Sequence, residues 1–488
     1  ARPGSAFPAR LLAALFTCAA MVLLFLITPS GWGAASRLCA PAALATLSVE
    51  PIGDLFSANT EVFLCAFLSF AALASLRALS EEREGPAMLW LLACGISCGA
   101  ALATKQTAAW TVLAFGSLAA WKIRDPRRLG LFAAGVALFP ALFAAYFAAR
   151  GGFEALLEQA WTRNMDYASL LLEPSALRQQ LHWFAGTLLP LLLRGDWPFY
   201  LLTVFALAGT QARGAKPVEV LAVLWLAASW IGVCAGLYLF PHYFLQAAPP
   251  LALCAALGVQ RLHLKSARLG AAAALFACLW PALTWGRTFF VDTPQVTAGR
   301  ILFPNPLYES TAVGEYIREH SSPQDRAYVF GSEPQIYLHA GLRAATRHIY
   351  VFPLTLFPRG MEDIERELSE LRGRPPRFIV YVDIPASTLV ASAPGERFRE
   401  GIRDLLQRRY RLLRVAPVAA GRPAPTPQRN SRGGAAPDPP GPARLGAAAR
   451  GVTRGSAASE GLGAAERAGP AEFGRESLLL FELIHSPG

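Results

Sequence analysis

The chain has 488 residues, of which 53% are hydrophobic and only 16% are charged, and its mean hydropathy is +0.34. A soluble protein of this length seldom reads so apolar, so the composition predicts a polytopic α-helical membrane protein. The net charge of +11 comes mostly from arginines in short loops and in a late polar tail, a pattern that sets membrane topology and excludes a nucleic-acid-binding role. All eight cysteines fall in apolar segments, so no disulfide framework is expected in the polar C-terminal part.

A series of apolar segments predicts a multi-span transmembrane domain over residues 1–289. The predicted spans cover residues 11–28, 36–49, 62–76, 87–103, 108–121, 129–149, 197–210, 218–239, 245–259 and 269–285. A further apolar stretch at 182–193 is interrupted by Arg194 and Asp196, so we expect it to lie at the membrane interface.

Basic residues in the loops predict which span ends share a side of the membrane. The loops that carry Lys or Arg are expected in the cytoplasm, and they are 77–85, 121–130, 212–217 and 260–270. The segments expected on the outer face are 52–60, 103–107, 150–181 and 240–246. The chain leaves its last span on that outer face, so this topology predicts a cytoplasmic (inner) membrane protein whose C-terminal domain is extracytoplasmic.

From about residue 304 the pattern changes to alternating helix and strand, which predicts an α/β domain over residues 304–416. Helices are predicted at 309–320 and 361–373, and strands at 326–331, 348–352 and 377–383. Residues 417–475, rich in Ala, Pro, Gly and Arg, are predicted to be a disordered insertion. Residues 476–488 are predicted to be a terminal strand and tail, with 477–484 pairing to 408–416. Glu333 and His339 flank a predicted helix, where helix capping and ordinary surface placement explain them at least as well as a functional role.

Glu61 stands at the start of an apolar helix, in the stretch SANTEVF. Ser57, Asn59 and Thr60 before it are good N-cap residues, and a carboxylate in the first helical turn suits the helix dipole. Capping alone is therefore one explanation of Glu61. The other is that Glu61 belongs to a polar site on the outer face.

Two further features are expected on that face. In GAALATKQTAAW, Lys105 and Gln106 occupy a turn between two apolar helices, where a lysine either extends to water or binds an anionic headgroup such as a phosphate. In PHYFLQAAPPLAL, His242 and Tyr243 precede a helix, and Tyr243 is either an interfacial anchor or part of the same site.

An amphipathic outer loop, QAWTRNMDY, is the fourth feature. Arg163, Asp166 and Tyr167 lie within it. Such a segment either rests on the membrane interface or contributes to a substrate-binding loop, for which Asn59, Gln106, Arg163 and Asp166 are the candidates.

Taken together, the ANTE helix start, the ATKQT turn, the HYFLQAAPPLAL segment and the unit GSEPQIYLHAG resemble the GT-C glycosyltransferases. More narrowly, residues 11–416 are similar to the protein mannosyltransferase and aminoarabinose transferase superfamily, that is, to glycosyltransferase family 39. The resemblance implies a GT-C-like bundle that moves a sugar from a polyprenyl-phosphate carrier to an envelope lipid, glycan or protein, with inversion. It also implies membrane lipids as partners and no nucleotide sugar; the cofactor stays unknown, a divalent metal being one option.

The resemblance implies roles for particular residues. Glu61 matches a second acid that organises the catalytic site, while Lys105, His242 and Tyr243 fall near the donor phosphate. No metal ligand is assigned. The chain begins at Ala1 rather than Met, so we expect it to be truncated, with the general base of such enzymes upstream of Ala1. Asp54, the nearby outer carboxylate, is not assigned as that base.

Two alternatives belong to other functional classes. A lipid-linked glycan transporter would need charges lining a route from both membrane faces, whereas the predicted charges gather at the outer face and in loops. A noncatalytic membrane assembly protein would use the α/β domain as a docking module. An upstream loop that lacks any carboxylate would favour this last alternative.

Overall fold

The structure, a computed structural model, describes residues 7–51, 57–208, 216–294, 296–297, 305–356, 360–390, 392–417 and 477–484. The described chain forms two compact units, one over Phe7–Val291 and one that begins at Asp292. The first is a helical bundle, and the second contains a five-stranded sheet.

The bundle is built from apolar helices joined by short turns. Its helices are α1 (Phe7–Ile27), α2 (Ala34–Val49), α3 (Thr60–Ser80), α4 (Glu84–Thr104), α5 (Ala109–Ile123), α6 (Pro126–Ala149), α7 (Phe153–Leu157), α8 (Arg163–Ser169), α9 (Pro174–Trp183), α10 (Leu189–Ala208), α11 (Pro217–Cys234), α12 (Ala248–Lys265), α13 (Ala267–Thr284) and α14 (Gly286–Phe290). Among the described residues, eight helices are long and apolar enough to cross a membrane. The prediction of a polytopic helical membrane protein is confirmed.

One stretch of the bundle differs from the sequence-based expectation. The stretch predicted at 182–193 is not separate from the span predicted after it, because helix runs continuously through Pro174–Ala208, joining α9 and α10 through a π-helical turn at Phe184–Leu188. The predicted interfacial stretch and the described part of the span predicted at 197–210 therefore belong to one long helix. Asp196 is only 6% exposed inside this helix, so protein rather than water surrounds its carboxylate.

Close backbone approach joins α4 to α6. Gly95 and Gly99 lie one turn apart on α4 and face Gly135 of α6. A Cβ on Gly95 would lie 2.2 Å from the Phe132 carbonyl oxygen, and one on Gly99 would lie 2.5 Å from that of Val136. The two helices thus pack through small residues, as membrane helices commonly do.

The second unit is an α/β domain. Its helices are α15 (Leu307–Glu319), α16 (Gln335–Ala340), α17 (Phe352–Thr355), α18 (Met361–Gly373), α19 (Pro385–Thr388) and α20 (Ala393–Arg409). Its strands are β1 (Arg326–Phe330), β2 (Arg343–Ala344), β3 (Phe378–Asp383), β4 (Tyr410–Pro417) and β5 (Ser477–Leu483). The sheet order is β2-β1-β3-β5-β4, with β1 parallel to β2 and β3, and β5 antiparallel to β3 and β4.

Alternation along β1 explains why helices cover both faces of this sheet. Tyr328 and Phe330 pack with α18 and α20, while Ala327 and Val329 pack with α15 and α16. The predicted α/β fold and the pairing of the last strand with the strand near residue 410 are confirmed. Its extracytoplasmic location stays a prediction, and the insertion predicted at 417–475 lies outside the described residues apart from Pro417.

The strand predicted at residues 348–352 is wrong. His348 turns inward, and its Nδ1 lies 2.8 Å from Glu367 Oε2 on α18. This contact is incompatible with the strand that the apolar residues of HIYVF suggested. The short helix α17 then begins at Phe352. The short strand β2 pairs with β1 at that edge of the sheet instead.

Candidate functional site

Glu61 lies in the first turn of α3, where its side chain is only 1% exposed. The side chain of Asn59, at the N-cap position, makes no capping hydrogen bond to the helix. Instead, the hydroxyl of Thr60 donates to Glu61 Oε2 over 3.0 Å. A charge so deeply buried needs a partner of opposite sign, because burial of an unpaired carboxylate is costly.

Lys105 supplies that partner from the end of α4. Its Nζ donates to Glu61 Oε1, forming an ion pair between side chains that are 19% and 1% exposed. The backbone of Lys105 is extended (φ −156°) between α4 and a 3₁₀ turn at Gln106–Ala108. The ATKQT sequence therefore forms the predicted turn, and the turn directs the lysine towards the start of α3.

Tyr243 completes the contact. Lys105 Nζ lies 3.7 Å from the centroid of the Tyr243 ring, within the range of a cation–π interaction. The ring of His242 stands edge-on to that of Tyr243, with 4.9 Å between ring centroids. Both residues belong to a 3₁₀ segment, Pro241–Ala247, that leads into α12. Glu61, Lys105, His242 and Tyr243, predicted to share one site, are thus neighbours, although their roles stay predictions.

A row of stacked rings leads away from this group. Tyr167 stacks on Tyr238 with 3.9 Å between centroids, and the rings of Tyr238, Phe240 and His242 continue nearly parallel. The Tyr238 hydroxyl also donates to the Tyr167 carbonyl over 2.8 Å.

The backbone beside Tyr238 is strained. Leu237 and Leu239 have φ of 59° and 49°, and such left-handed conformations cost a branched residue about 1–2 kcal/mol each. The strained residues flank the ring that stacks on Tyr167. The strained backbone therefore lies where the chain before the 3₁₀ segment contacts the outer loop.

The predicted substrate loop contacts the turn at Lys105, although Arg163 does not present its charge as expected. Gln106 donates to the Ala160 carbonyl and accepts from Asn164 Nδ2 over 3.1 Å. Arg163 is only 4% exposed and pairs with Glu158 over 3.2 Å. Its guanidinium stabilises the loop internally. Asp166 is half-buried in the same loop.

The structure also reveals polar residues that sequence reasoning did not place in a site. Gln246 Oε1 accepts from the Thr107 hydroxyl over 3.0 Å, and its Nε2 donates to the Ser229 carbonyl over 3.1 Å. This amide connects the turn after Lys105 to α11 and to the 3₁₀ segment. Its only sequence signal is a glutamine within an apolar run.

Glu50 and Asp196 form a second buried acidic group, 2% and 6% exposed. Both line a cavity of about 30 Å³ beside the 3₁₀ segment. A Cβ on Gly195 would lie 2.7 Å from Glu50 Oε2, so the absent side chain makes room for this carboxylate. Within the described part of the chain, Glu50 Oε1 and Asp196 Oδ1 have no hydrogen-bond partner. The sequence signal, an acid inside an apolar segment, was present but was not assigned to a site.

In the α/β domain, Glu333 is buried (2% exposed), so its predicted surface placement is wrong. The Ser387 hydroxyl donates to Glu333 Oε2 over 2.7 Å. Burial raises the pKa of Glu333 to about 7. Glu333 therefore stays protonated in the folded domain at pH values at which a glutamate of the unfolded chain has already lost its proton.

This proton predicts how stability changes with pH. The unfolded pKa of a glutamate is about 4.3, so the contribution of Glu333 is fully present below that value and falls as pH rises towards 7, by about 4 kcal/mol in total. We expect Glu333→Gln to flatten the fall in melting temperature of the α/β domain between about pH 4 and 7. Glu315→Gln, at a side chain that is 54% exposed, is the control and should keep the wild-type slope. An unchanged slope in Glu333→Gln would contradict the assignment.

Chemically, the Glu61 group offers an ammonium held by a carboxylate and an aromatic ring. Such a cation can stabilise charge that develops on a phosphate oxygen, provided that it is held in position before the reaction. No three His, Cys, Asp or Glu side chains in the described ranges converge as metal ligands.

No family model matches the chain, and no curated protein does. Among solved structures, it is similar to an oligosaccharyltransferase of Archaeoglobus fulgidus, crystallised with zinc and sulfate, at 13% identity and a TM-score of 0.44. The likeness covers 83% of this chain, which spans 60% of that protein. A likeness at this level establishes neither a family nor an activity.

Proposed function

We propose that the chain is a membrane glycosyltransferase that moves a sugar from a polyprenyl-phosphate carrier to an envelope lipid, glycan or protein on the outer face of the cytoplasmic membrane. The observation that supports this most is the buried Glu61–Lys105 pair beneath the Tyr243 ring. It places a fixed cation at the end of a helix expected to span the membrane. A lipid-linked phosphate would be presented at that depth.

The proposed reaction is a single displacement with inversion. The acceptor hydroxyl oxygen forms a bond to the anomeric carbon, and the bond from that carbon to the carrier phosphate oxygen breaks. The electron pair of the broken bond stays on the phosphate, where Lys105 stabilises the charge with His242 and Tyr243 beside it. The hydroxyl proton goes to a general base, which no described residue is assigned to provide.

Glu61 acts in this scheme by positioning Lys105. Both of its oxygens are engaged, Oε1 by the Lys105 ammonium and Oε2 by the Thr60 hydroxyl. A carboxylate so engaged is poorly placed to take a proton from an acceptor. Its negative charge instead fixes the lysine and offsets the cost of keeping it mostly buried.

The donor class is tested by offering the purified chain a polyprenyl-phosphate sugar and, separately, the matching nucleotide sugar. We expect transfer from the lipid-linked donor alone. Tyr243→Leu should lower that transfer about tenfold, because it removes the ring that packs on the Lys105 ammonium. The matched control is Tyr146→Leu, since Tyr146 also contacts a cation, Arg150, but is 57% exposed on α6. Equal losses in the two variants would contradict the proposed site.

A transporter of lipid-linked glycans is the second candidate, and one observation favours it. Glu50 and Asp196 are buried beside a cavity within the bundle, whereas the sequence suggested charges only at loops and at the outer face. Intramembrane carboxyl groups often mark a transport route. Passage of a lipid-linked sugar across liposomes that contain only this chain would favour transport over transfer.

A further inference from the structure

Residues 153–172, here called the strap, carry a stripe of exposed apolar side chains. The strap consists of α7, a π-helical turn at Glu158–Thr162, α8 and a 3₁₀ turn at Leu170–Leu172. Phe153, Leu157, Trp161 and Met165 recur every four residues and are 40%, 49%, 65% and 55% exposed. Leu172 follows at 70%. This spacing places the four recurring residues along one side of a helix.

The opposite side of the strap is attached to the candidate site. The Ala160 carbonyl accepts a hydrogen bond from Gln106, the residue after Lys105. The Tyr167 ring stacks on Tyr238, whose hydroxyl donates to the Tyr167 carbonyl. The strap therefore has a polar inner side that contacts the protein and an apolar outer side that the described chain leaves uncovered.

Chain connectivity indicates what covers the outer side. The strap joins two helices long and apolar enough to cross a membrane, Pro126–Ala149 and Pro174–Ala208. The first is the least buried of the eight candidates, with 11% of its most apolar window buried inside the structure. Its last turns expose Phe143 and Tyr146, only a few residues before Phe153. The exposed apolar surface thus continues along the chain from a lipid-facing helix onto the strap.

The charged residues of the strap indicate whether lipid headgroups or the apolar part of the bilayer attract it. The strap contains Glu154, Glu158 and Asp166 but only one basic residue, Arg163, which is paired with Glu158. Because the strap has more acidic than basic residues, electrostatic attraction to anionic lipids cannot hold it at the membrane. Burial of apolar area can, with an aromatic side chain such as Trp161 at the headgroup level.

We propose that the strap inserts its stripe into the interfacial layer of the lipid bilayer, so that the membrane surface itself holds the segment that contacts Gln106 and Tyr238. Insertion is driven by apolar area and does not require anionic lipid. The lipid surface is thereby connected, through Ala160 and Gln106, to the turn that carries Lys105. The lipid contact does not depend on the proposed transfer reaction.

Insertion depth tests this directly. The full chain is placed in phosphatidylcholine nanodiscs with exposed Cys18 and Cys234 replaced by alanine, and an environment-sensitive fluorophore is attached at Trp161→Cys or at Gln159→Cys. Gln159 is exposed but lies off the stripe. A lipid with a nitroxide just below the headgroup should quench the label at 161 about twofold or more beyond that at 159. Met165→Cys, a second stripe position, should behave like Trp161→Cys.

Three results would overturn the proposal. The first is equal quenching at 161 and 159 together with water-like emission at both positions. The second is quenching that appears only after anionic lipid is added or that disappears in high salt. The third is efficient cross-linking between two copies through Trp161→Cys, which would assign the stripe to a second copy of the chain. Because none of these readouts measures sugar transfer, a failed transfer assay leaves this test intact.

Discussion

Glu61→Gln is expected to reduce sugar transfer by at least about 10²-fold while the chain still inserts into membranes. Glutamine keeps the size of the side chain but cannot balance the Lys105 ammonium, so the cation loses its fixed position beneath Tyr243. The effect should appear with the lipid-linked donor: the KM for the donor rises and kcat falls, while the KM for the acceptor changes little. The measurement is transfer of labelled sugar by membranes with matched amounts of the chain.

Two controls distinguish positioning from general loss of structure. Glu82→Gln changes an exposed glutamate that follows α3 and should leave transfer unchanged. The double variant Glu61→Gln with Lys105→Met removes both charges, and we expect it to be more stable than either single variant, because each single variant leaves one buried charge without its partner and the double variant leaves none. Its transfer should stay as low as that of Glu61→Gln. Full activity in Glu61→Gln would remove the main claim about the site.

Gly95→Val is expected to destabilise the bundle by about 3 kcal/mol, the upper end of the usual cost of overpacking. A Cβ at this position would lie 2.2 Å from the Phe132 carbonyl oxygen, and a backbone atom cannot move aside as a flexible side chain can. The valine must therefore push α4 away from α6. Since α4 ends beside Lys105, transfer should fall together with the melting temperature measured in detergent.

Gly130→Val provides the matched control for this change. Gly130 lies within α6, and a Cβ there would meet no atom within 4 Å. Both variants introduce the same β-branched residue into a helix, so their helix-propensity costs are similar. A melting temperature that falls equally in the two variants would show that propensity, and not the approach of α4 to α6, limits stability.

The candidate site was partly visible in the sequence. Glu61, Lys105 and Tyr243 could be singled out because each is a polar or aromatic residue at the end of an apolar run, and loop charges predicted that those ends meet. Arg163 was a candidate because it lies in an amphipathic loop predicted on the same face, but its charge is engaged by Glu158 five residues earlier. Whether a loop charge faces a substrate or a neighbour depends on side-chain contacts that spacing does not encode.

Glu50 and Glu333 show a different kind of limit. Each was one acid among many in the sequence, and the partner that buries it lies far away along the chain. Glu50 is buried because Gly195, far along the chain, leaves room for its carboxylate. Glu333 is buried beneath Ser387 of α19, which follows β3 in the sheet. These contacts join distant segments, so they exist only once the fold has formed.

By itself, the sequence determined that the chain is a helical membrane bundle followed by an α/β domain, because apolar run length and the alternation of helix and strand are local properties. It also determined the turn at Lys105 and the pairing of strands β4 and β5. Only the tertiary structure decided that Pro174–Ala208 is one helix through Asp196, that residues 348–352 are not a strand, and that Lys105 pairs with Glu61. Those outcomes depend on which partners bury a charge, and burial is a property of the packed molecule.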